Sequence, residues 1–136
     1  NKHICFFGQV GSSDAVREHL DKADLFILPS YQEGLPRAMI EAMARGLPCI
    51  GSTAGGIPEL LPPEDMVTPG DAMALAEKIR EVVTDCDRMT LMSARNLETG
   101  KQYRDEVLQK QRIDFYGYIR DSTQVWLKQK KLITVS

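Results

Sequence analysis

Two glutamates, Glu33 and Glu41, lie eight positions apart around the predicted start of a helix at Pro36. The N-terminus of a helix presents free N–H groups and the positive end of its dipole, which together suit a phosphate. A carboxylate repels a phosphate but accepts hydrogen bonds from hydroxyl groups. Gly34 lacks a Cβ atom, so a ligand can approach the backbone closely there. The pattern favours a ligand with phosphates in its middle and hydroxyls at both ends, as in a nucleotide-sugar.

The chain around these glutamates predicts a strand, a loop and a helix in that order. An apolar run at residues 25–28 is typical of a buried strand, and residues 31–35 follow it as a loop. Pro36 suits the first helical position, because its missing N–H would have no partner there. Gly46 is placed for a left-handed C-terminal cap, and Pro48 prevents the helix from continuing. This unit aims the helix N-terminus at whatever lies beyond the end of the strand.

The same stretch resembles the E-x7-E segment of retaining glycosyltransferases with the GT-B fold, a group that includes bacterial capsule and lipopolysaccharide transferases. The matching residues are Pro29-Ser30, Glu33-Gly34, Pro36, Glu41-Ala42-Met43-Ala44, Gly46 and Pro48. Further pieces agree in order over residues 4–80, namely Phe7-Gly8 with Val10, the run at 23–30, Gly55-Gly56-Ile57-Pro58-Glu59 and Pro69-Gly70-Asp71. Two glutamates at a fixed spacing are common, whereas the ordered set is specific. An ordinary α/β domain with two solvated glutamates is the alternative.

The resemblance implies a role for each matching residue. Glu33 would be the catalytic residue, nearest the reacting centre and in contact with the hydroxyls of the donor sugar, whereas Glu41 would hold the ribose hydroxyls. The other donor-binding residues would be Gly8, Val10, Gly34, Leu35, Pro36, Arg37, Gly55 and Gly56. A turn that touches no ligand remains the alternative for residues 8–10, because backbone contacts leave little trace in a sequence. No metal and no other cofactor is expected.

The function that this resemblance implies is the donor-binding part of a retaining glycosyltransferase. Such an enzyme transfers a sugar from a nucleoside-diphosphate sugar to an acceptor such as a glycan or a lipid-linked saccharide. Two alternatives remain open. A nucleotide-sugar epimerase or a phosphorylase on the same fold would rearrange or release the sugar without a glycosyl acceptor. A non-catalytic module would bind a nucleotide or a partner protein.

The order of apolar runs and caps predicts an α/β fold with a Rossmann-like parallel sheet of about four strands, at residues 4–7, 25–28, 49–51 and 66–68. Helices are predicted over 14–22, from 36 and over 57–61. Another, with Asp71 as its N-cap and an apolar side that includes Leu75, Ile79 and Val82, is predicted to end at about 84. A further helix, capped by Asp87, should extend to about 100, and residues 103–131 should be helical with a break near Gly117. We expect one donor-binding domain over residues 1–136, with an α/β part at 1–84 and a helical tail at 85–136.

The resemblance also implies parts that this sequence lacks. An N-terminal acceptor domain would come first, followed by two strands that carry the Arg and Lys for the diphosphate. We therefore expect a partial C-terminal domain of a GT-B fold, inactive by itself. In that fold the strands at 4–7 and 25–28 would not be neighbours. Their unpaired edges predict self-association of the fragment, in preference to direct pairing within one chain.

Composition narrows the partners further. The 136 residues carry a net charge of −2, which argues against nucleic acid as a partner. Three scattered cysteines form neither a disulfide framework nor a zinc pattern, which fits a cytoplasmic protein. Asp85-Cys86-Asp87 matches a metal-binding D-x-D pattern, but its place between two predicted helices favours capping. The aromatic and basic tail before residue 132 either packs on protein or contacts the inner face of a membrane peripherally, and packing is favoured.

Overall fold

The computed structural model describes residues 3–134, and their side chains through residue 130. The described residues form five α-helices and three short strands. The strands lie in the first half of the chain, and only helices follow the third strand. In chain order they are α1 (Ser13–Asp21), β1 (Phe26–Leu28), α2 (Arg37–Ala44), β2 (Cys49–Ser52), β3 (Met66–Val67), α3 (Ala72–Val83), α4 (Cys86–Lys101) and α5 (Asp105–Thr134). Two single-turn 3₁₀ helices, Ile57–Glu59 and Pro63–Asp65, lie between β2 and β3.

The three strands form one parallel sheet in the order β1-β2-β3. Ile27 is paired with Ile50, and Gly51 is paired with Met66. All four residues of β2 are buried, because this strand has a neighbour on each side and both of its faces are covered. The predicted α/β class and parallel sheet are confirmed, with three strands instead of about four.

The predicted strand at residues 4–7 is wrong for this structure. Its side chains are exposed, with Phe6 91% accessible, and the ring of Phe7 lies 4.3 Å from that of His19, measured between centroids. An apolar run becomes a strand only when a neighbouring strand takes up its N–H and C=O groups. In residues 3–134 the sheet holds no strand beyond β1, β2 and β3, so direct pairing of 4–7 with 25–28 does not occur either. Self-association stays a prediction.

Both faces of the central strand are covered. Ile50 lies in an apolar cluster with Val82 of α3 and Met92 of α4. On the opposite face, a Cβ built at Gly51 would lie 2.6 Å from Ile57 and 3.2 Å from Met39 of α2. Successive residues of a strand point to opposite faces, so the small residue at 51 lets α2 and the first 3₁₀ turn approach the sheet closely.

Helix α4 is fastened to this core at two places. A Cβ built at Gly100 would lie 2.9 Å from the backbone nitrogen of Ala44 in α2, so the two helices touch there without intervening side chains. Asp65 is 1% exposed and pairs with Arg88 and Arg95 of α4, the Arg88 contact measuring 3.1 Å. These contacts place α4 in the compact unit that ends at Lys101, beyond the predicted boundary at residue 84.

The second unit starts at Gln102 and consists mainly of α5. This helix continues through Gly117, so the predicted break there is wrong. Its aromatic side chains, including Tyr116, Tyr118 and Trp126, are exposed, and Lys130 lies 4.5 Å from the centre of the Trp126 ring. Packing on protein and peripheral membrane contact both stay predictions for this stretch. Over residues 3–134, no helix is both long and apolar enough to cross a bilayer.

The helix caps follow the predicted chemistry with two corrections. Asp71 accepts a hydrogen bond from the Ala74 N–H and caps α3, as expected. At α4 the cap is Asp85, whose carboxylate accepts from the Arg88 N–H at 2.9 Å, and not Asp87. Pro36 is the N-cap of α2 and not its first helical residue. Within the described residues, no group of three or more His, Cys, Asp or Glu side chains is arranged to hold a metal.

Candidate functional site

The candidate site lies where the three parallel strands end. The loop with Glu33 follows β1, the loop with Gly55 follows β2, and the turn with Gly70 follows β3. Because the strands are parallel, all three connections emerge at the same edge of the sheet. This edge is where ligands bind in open α/β folds.

Two of these loops pack backbone against backbone. The Gly56 N–H donates to the Gly34 carbonyl oxygen at 3.0 Å. A Cβ at Gly55, where φ is +54°, would lie 1.8 Å from the Glu33 carbonyl oxygen, and one at Gly56 would lie 2.7 Å from that of Gly34. The structure therefore brings four predicted site residues together. The two glycines of the second loop are in contact with the backbone of the first.

The N-terminus of α2 opens beside this loop pair. The Pro36 carbonyl accepts hydrogen bonds from Met39 and Ile40 at 3.1 and 3.2 Å, and no side chain caps this end of the helix. The first N–H groups of a helix have no partner within it. Gly34 is exposed, and a Cβ built on it would meet no atom within 4 Å. Leu35 and Arg37 are exposed too, so this end of the helix is open to an anion.

The Glu33 side chain is held by Ser30, and Ser30 is held in turn by Ser52. The Ser30 hydroxyl donates to Glu33 Oε1 at 2.7 Å. Ser52, which is fully buried in β2, donates its hydroxyl to the Ser30 carbonyl oxygen at 2.5 Å. Neither contact is predicted by the sequence. Ser30 was part of the matching motif without a role, and Ser52 carried no signal beyond its place at the end of a strand.

Glu41 is exposed on α2 and lines a cavity of about 470 Å³ that includes no residue of the Glu33 loop. The other lining residues are Arg17, Asp21, Ala44 and Arg45, and Arg45 forms an ion pair with Asp21. Among residues 3–134, residues 8–10 form no hydrogen bond or ring contact to the Glu33 loop and do not line the cavity beside Glu41. Gly8, with φ of +63°, is exposed.

A third feature beside the Glu33 loop was not predicted. A cavity of about 240 Å³ opens next to Tyr31, lined also by Pro29, Val67, Thr68, Gly70, Asp71, Ala72 and Leu75. Gly70 has φ of +83°, and a Cβ there would lie 2.9 Å from the Tyr31 hydroxyl oxygen. The Pro69-Gly70-Asp71 motif thus lets the Tyr31 ring lie against the turn that follows β3. The sequence showed this motif but not its contact.

One thiol near the sheet is unsuited to chemistry. Burial raises the pKa of Cys49 from 9.0 to about 12, although the nearby Arg95 partly offsets this. The Cys49 thiol donates to the Leu47 carbonyl oxygen at 3.3 Å. A thiol with such a pKa stays protonated at neutral pH and is a poor nucleophile. Cys49, at the amino end of β2, is therefore not a candidate for a nucleophile.

The family described as "Glycosyl transferases group 1" matches residues 1–85, more than half of the chain. The chain belongs to this family. The expected resemblance to group 1 glycosyltransferases is confirmed, and the α/β architecture is that of a GT-B glycosyltransferase domain.

Individual relatives of this group 1 glycosyltransferase chain are also transferases or synthases by name. N-acetyl-alpha-D-glucosaminyl L-malate synthase of Bacillus anthracis is 32% identical over 82% of the chain and 31% of the relative. Sulfoquinovosyl transferase SQD2 of Arabidopsis thaliana is 30% identical over 90% of the chain and 24% of the relative. The chain therefore spans about a third or less of the length of these relatives.

Solved structures show the same fold. Sucrose-phosphate synthase from Thermosynechococcus elongatus superposes with a TM-score of 0.79 at 27% identity, over 89% of this chain and 31% of that one. Anabaena HepE, solved in complex with UDP-glucose, superposes with a TM-score of 0.68 at 25% identity, over 75% and 29% of the two chains.

Proposed function

We propose that this chain is the donor-binding part of a retaining glycosyltransferase and binds a nucleoside-diphosphate sugar. The observation that carries the proposal is the Glu33 carboxylate, fastened beside the open N-terminus of α2 at the carboxyl edge of the sheet. The complexes of HepE with UDP and with UDP-glucose support this class of ligand.

The diphosphate lies at the N-terminus of α2 in this proposal. The uncapped N–H groups after Pro36 and the exposed guanidinium of Arg37 offer positive charge there. During transfer the bond between the sugar and the diphosphate oxygen breaks, and negative charge develops on the departing diphosphate. Groups already aimed at that charge stabilise the transition state more than the ground state. The helix end thus supports the departure of the leaving group.

Glu33 contacts the hydroxyls of the donor sugar, and the exposed Gly34 leaves room for the sugar to approach. Glu41 holds the ribose hydroxyls, for which its exposure on α2 and its neighbouring cavity leave space. Residues 8–10 lie near the base, which the family resemblance supports. The acceptor binds to another part of the protein, and the share of the relatives that the chain spans supports this division. The free, exposed thiols of Cys5 and Cys86 support a reducing, cytoplasmic setting.

Steady-state kinetics of the full-length protein test the two glutamates. Glu33→Ala should lower kcat and also weaken binding of the donor, because its contacts to the sugar hydroxyls lie nearest the reacting centre. Glu41→Ala should mainly raise the KM for the donor, because it acts on the nucleotide. Glu77→Ala, an exposed change on α3, serves as the matched control and should leave both constants unchanged. Wild-type kinetics for Glu33→Ala and Glu41→Ala together would refute the proposed site.

A further inference from the structure

A chain of two hydrogen bonds leads from the centre of the sheet to the Glu33 carboxylate. Ser52 belongs to β2, which is paired on both sides, and its side chain has no exposed surface. Its hydroxyl donates to the Ser30 carbonyl oxygen at 2.5 Å, and the Ser30 hydroxyl donates to Glu33 Oε1 at 2.7 Å. The central strand of the sheet is thereby connected to the Glu33 side chain at the carboxyl edge.

The rest of the loop does little to fix that carboxylate. Tyr31 is 79% exposed and its ring lies against Gly70, and Gln32 is exposed; neither side chain forms a hydrogen bond with the Glu33 carboxylate. The hydrogen bond from Gly56 to Gly34 fixes the backbone after Glu33 but leaves its side chain free to rotate. A glutamate side chain loses considerable rotamer entropy when it is held in one orientation. Within the described residues, the Ser30 hydroxyl is the group that holds the Glu33 carboxylate in one orientation before a ligand binds.

We propose that Ser30 is the positioning residue for Glu33. Its hydroxyl occupies Oε1 and leaves Oε2 to accept a hydrogen bond from a hydroxyl of the donor sugar, while Ser52 fixes Ser30. This inference rests on the proposed function, because it assumes that Glu33 contacts the sugar. It goes further by assigning a role to two serines. It also predicts that the effect of Ser30 appears with a sugar-bearing ligand and is absent with the nucleotide alone.

Isothermal titration of the full-length protein tests this role. The probes are UDP, GDP and ADP and their glucose derivatives, and the variants are Ser30→Ala, Ser30→Thr, Glu33→Ala and the double variant Ser30→Ala/Glu33→Ala. Ser30→Ala should weaken binding of the glucose derivative about tenfold, since a hydrogen bond to a charged group contributes that much, and leave nucleotide binding unchanged. Ser30→Thr keeps the hydroxyl and should bind as the wild type. In the Glu33→Ala background, Ser30→Ala should have no further effect.

The possible results distinguish a failure of the positioning role of Ser30 from a failure of the proposed function. If Glu33→Ala weakens binding of the glucose derivative but Ser30→Ala does not, the positioning role is refuted and the proposed function stands. Equal losses with nucleotide and glucose derivative would also refute it, because they indicate a general effect on the loop. A full Ser30→Ala effect in the Glu33→Ala background would show that Ser30 acts without Glu33. Wild-type binding by Glu33→Ala, or no binding of any probe, would overturn the proposed function and the inference with it.

Discussion

The contact between the two loops at the candidate site predicts a graded series of glycine-to-alanine effects. Gly8, Gly55 and Gly70 all have positive φ, so alanine at each costs about 1–2 kcal/mol of backbone strain. The gain from a less flexible unfolded chain is similar for all three and cancels in the comparison. What differs is the space around the new methyl group, which meets nothing within 4 Å at Gly8.

At Gly55 the methyl carbon would lie 1.8 Å from the Glu33 carbonyl oxygen. Ordinary contacts of this kind measure about 3.3 Å, so the two loops must separate by roughly 1.5 Å. Overpacking of this type costs about 1–3 kcal/mol in addition to the strain. We expect Gly55→Ala to lower the free energy of unfolding by about 3 kcal/mol. Gly70→Ala should fall between Gly55→Ala and Gly8→Ala, because the exposed Tyr31 ring can move away.

Urea unfolding, followed by far-ultraviolet circular dichroism, gives the three free energies of unfolding on one scale. Gly8→Ala is the matched control, since it carries the backbone strain without the clash. A loss for Gly55→Ala within about 0.5 kcal/mol of that for Gly8→Ala would refute the close packing of the two loops.

Three further predictions concern the framework beneath the site. Asp65→Asn should lower the free energy of unfolding in urea by about 3–5 kcal/mol, because it leaves Arg88 and Arg95 beside a neutral buried group. The control Asp87→Asn, on the exposed surface, should change this free energy little. Gly100→Ala should lower the melting temperature by forcing α4 away from α2, and Gly117→Ala, in open space, should leave it equal or higher. Iodoacetamide at pH 8 should label Cys49 only after unfolding, since burial raises its pKa to about 12; labelling in the native protein would contradict this.

Local signals explain which elements were predictable. The apolar side of α3 and its Asp71 cap lie within one short stretch, and both were predicted correctly. The run at residues 4–7 is just as apolar, but a strand also needs a neighbour, and that information lies elsewhere in a fold. Gly117 suggested a break, yet one glycine costs a helix only about 1 kcal/mol. Asp87 was predicted to cap α4, whereas the cap is Asp85, because its carboxylate reaches the Arg88 N–H.

The candidate site, like the fold, was predictable where local patterns or strand order determine it. The proximity of Gly34 and Gly56 follows from the parallel order of the strands, because consecutive loops emerge at one edge. The bond from Ser52 to Ser30 joins residues 22 positions apart and left no pattern in the sequence. The separation of Glu41 from the Glu33 loop was also not predictable from their spacing, since it depends on the direction in which α2 leaves the loop.

A crystal structure of the full-length protein with UDP-glucose shows whether the N-terminus of α2 and Glu33 bind the donor. We expect the diphosphate oxygens to lie about 2.7–3.2 Å from the first N–H groups of α2, and Glu33 to accept a hydrogen bond from a hydroxyl of the glucose. A diphosphate bound away from the N-terminus of α2, or a glucose with no contact to Glu33, would contradict it.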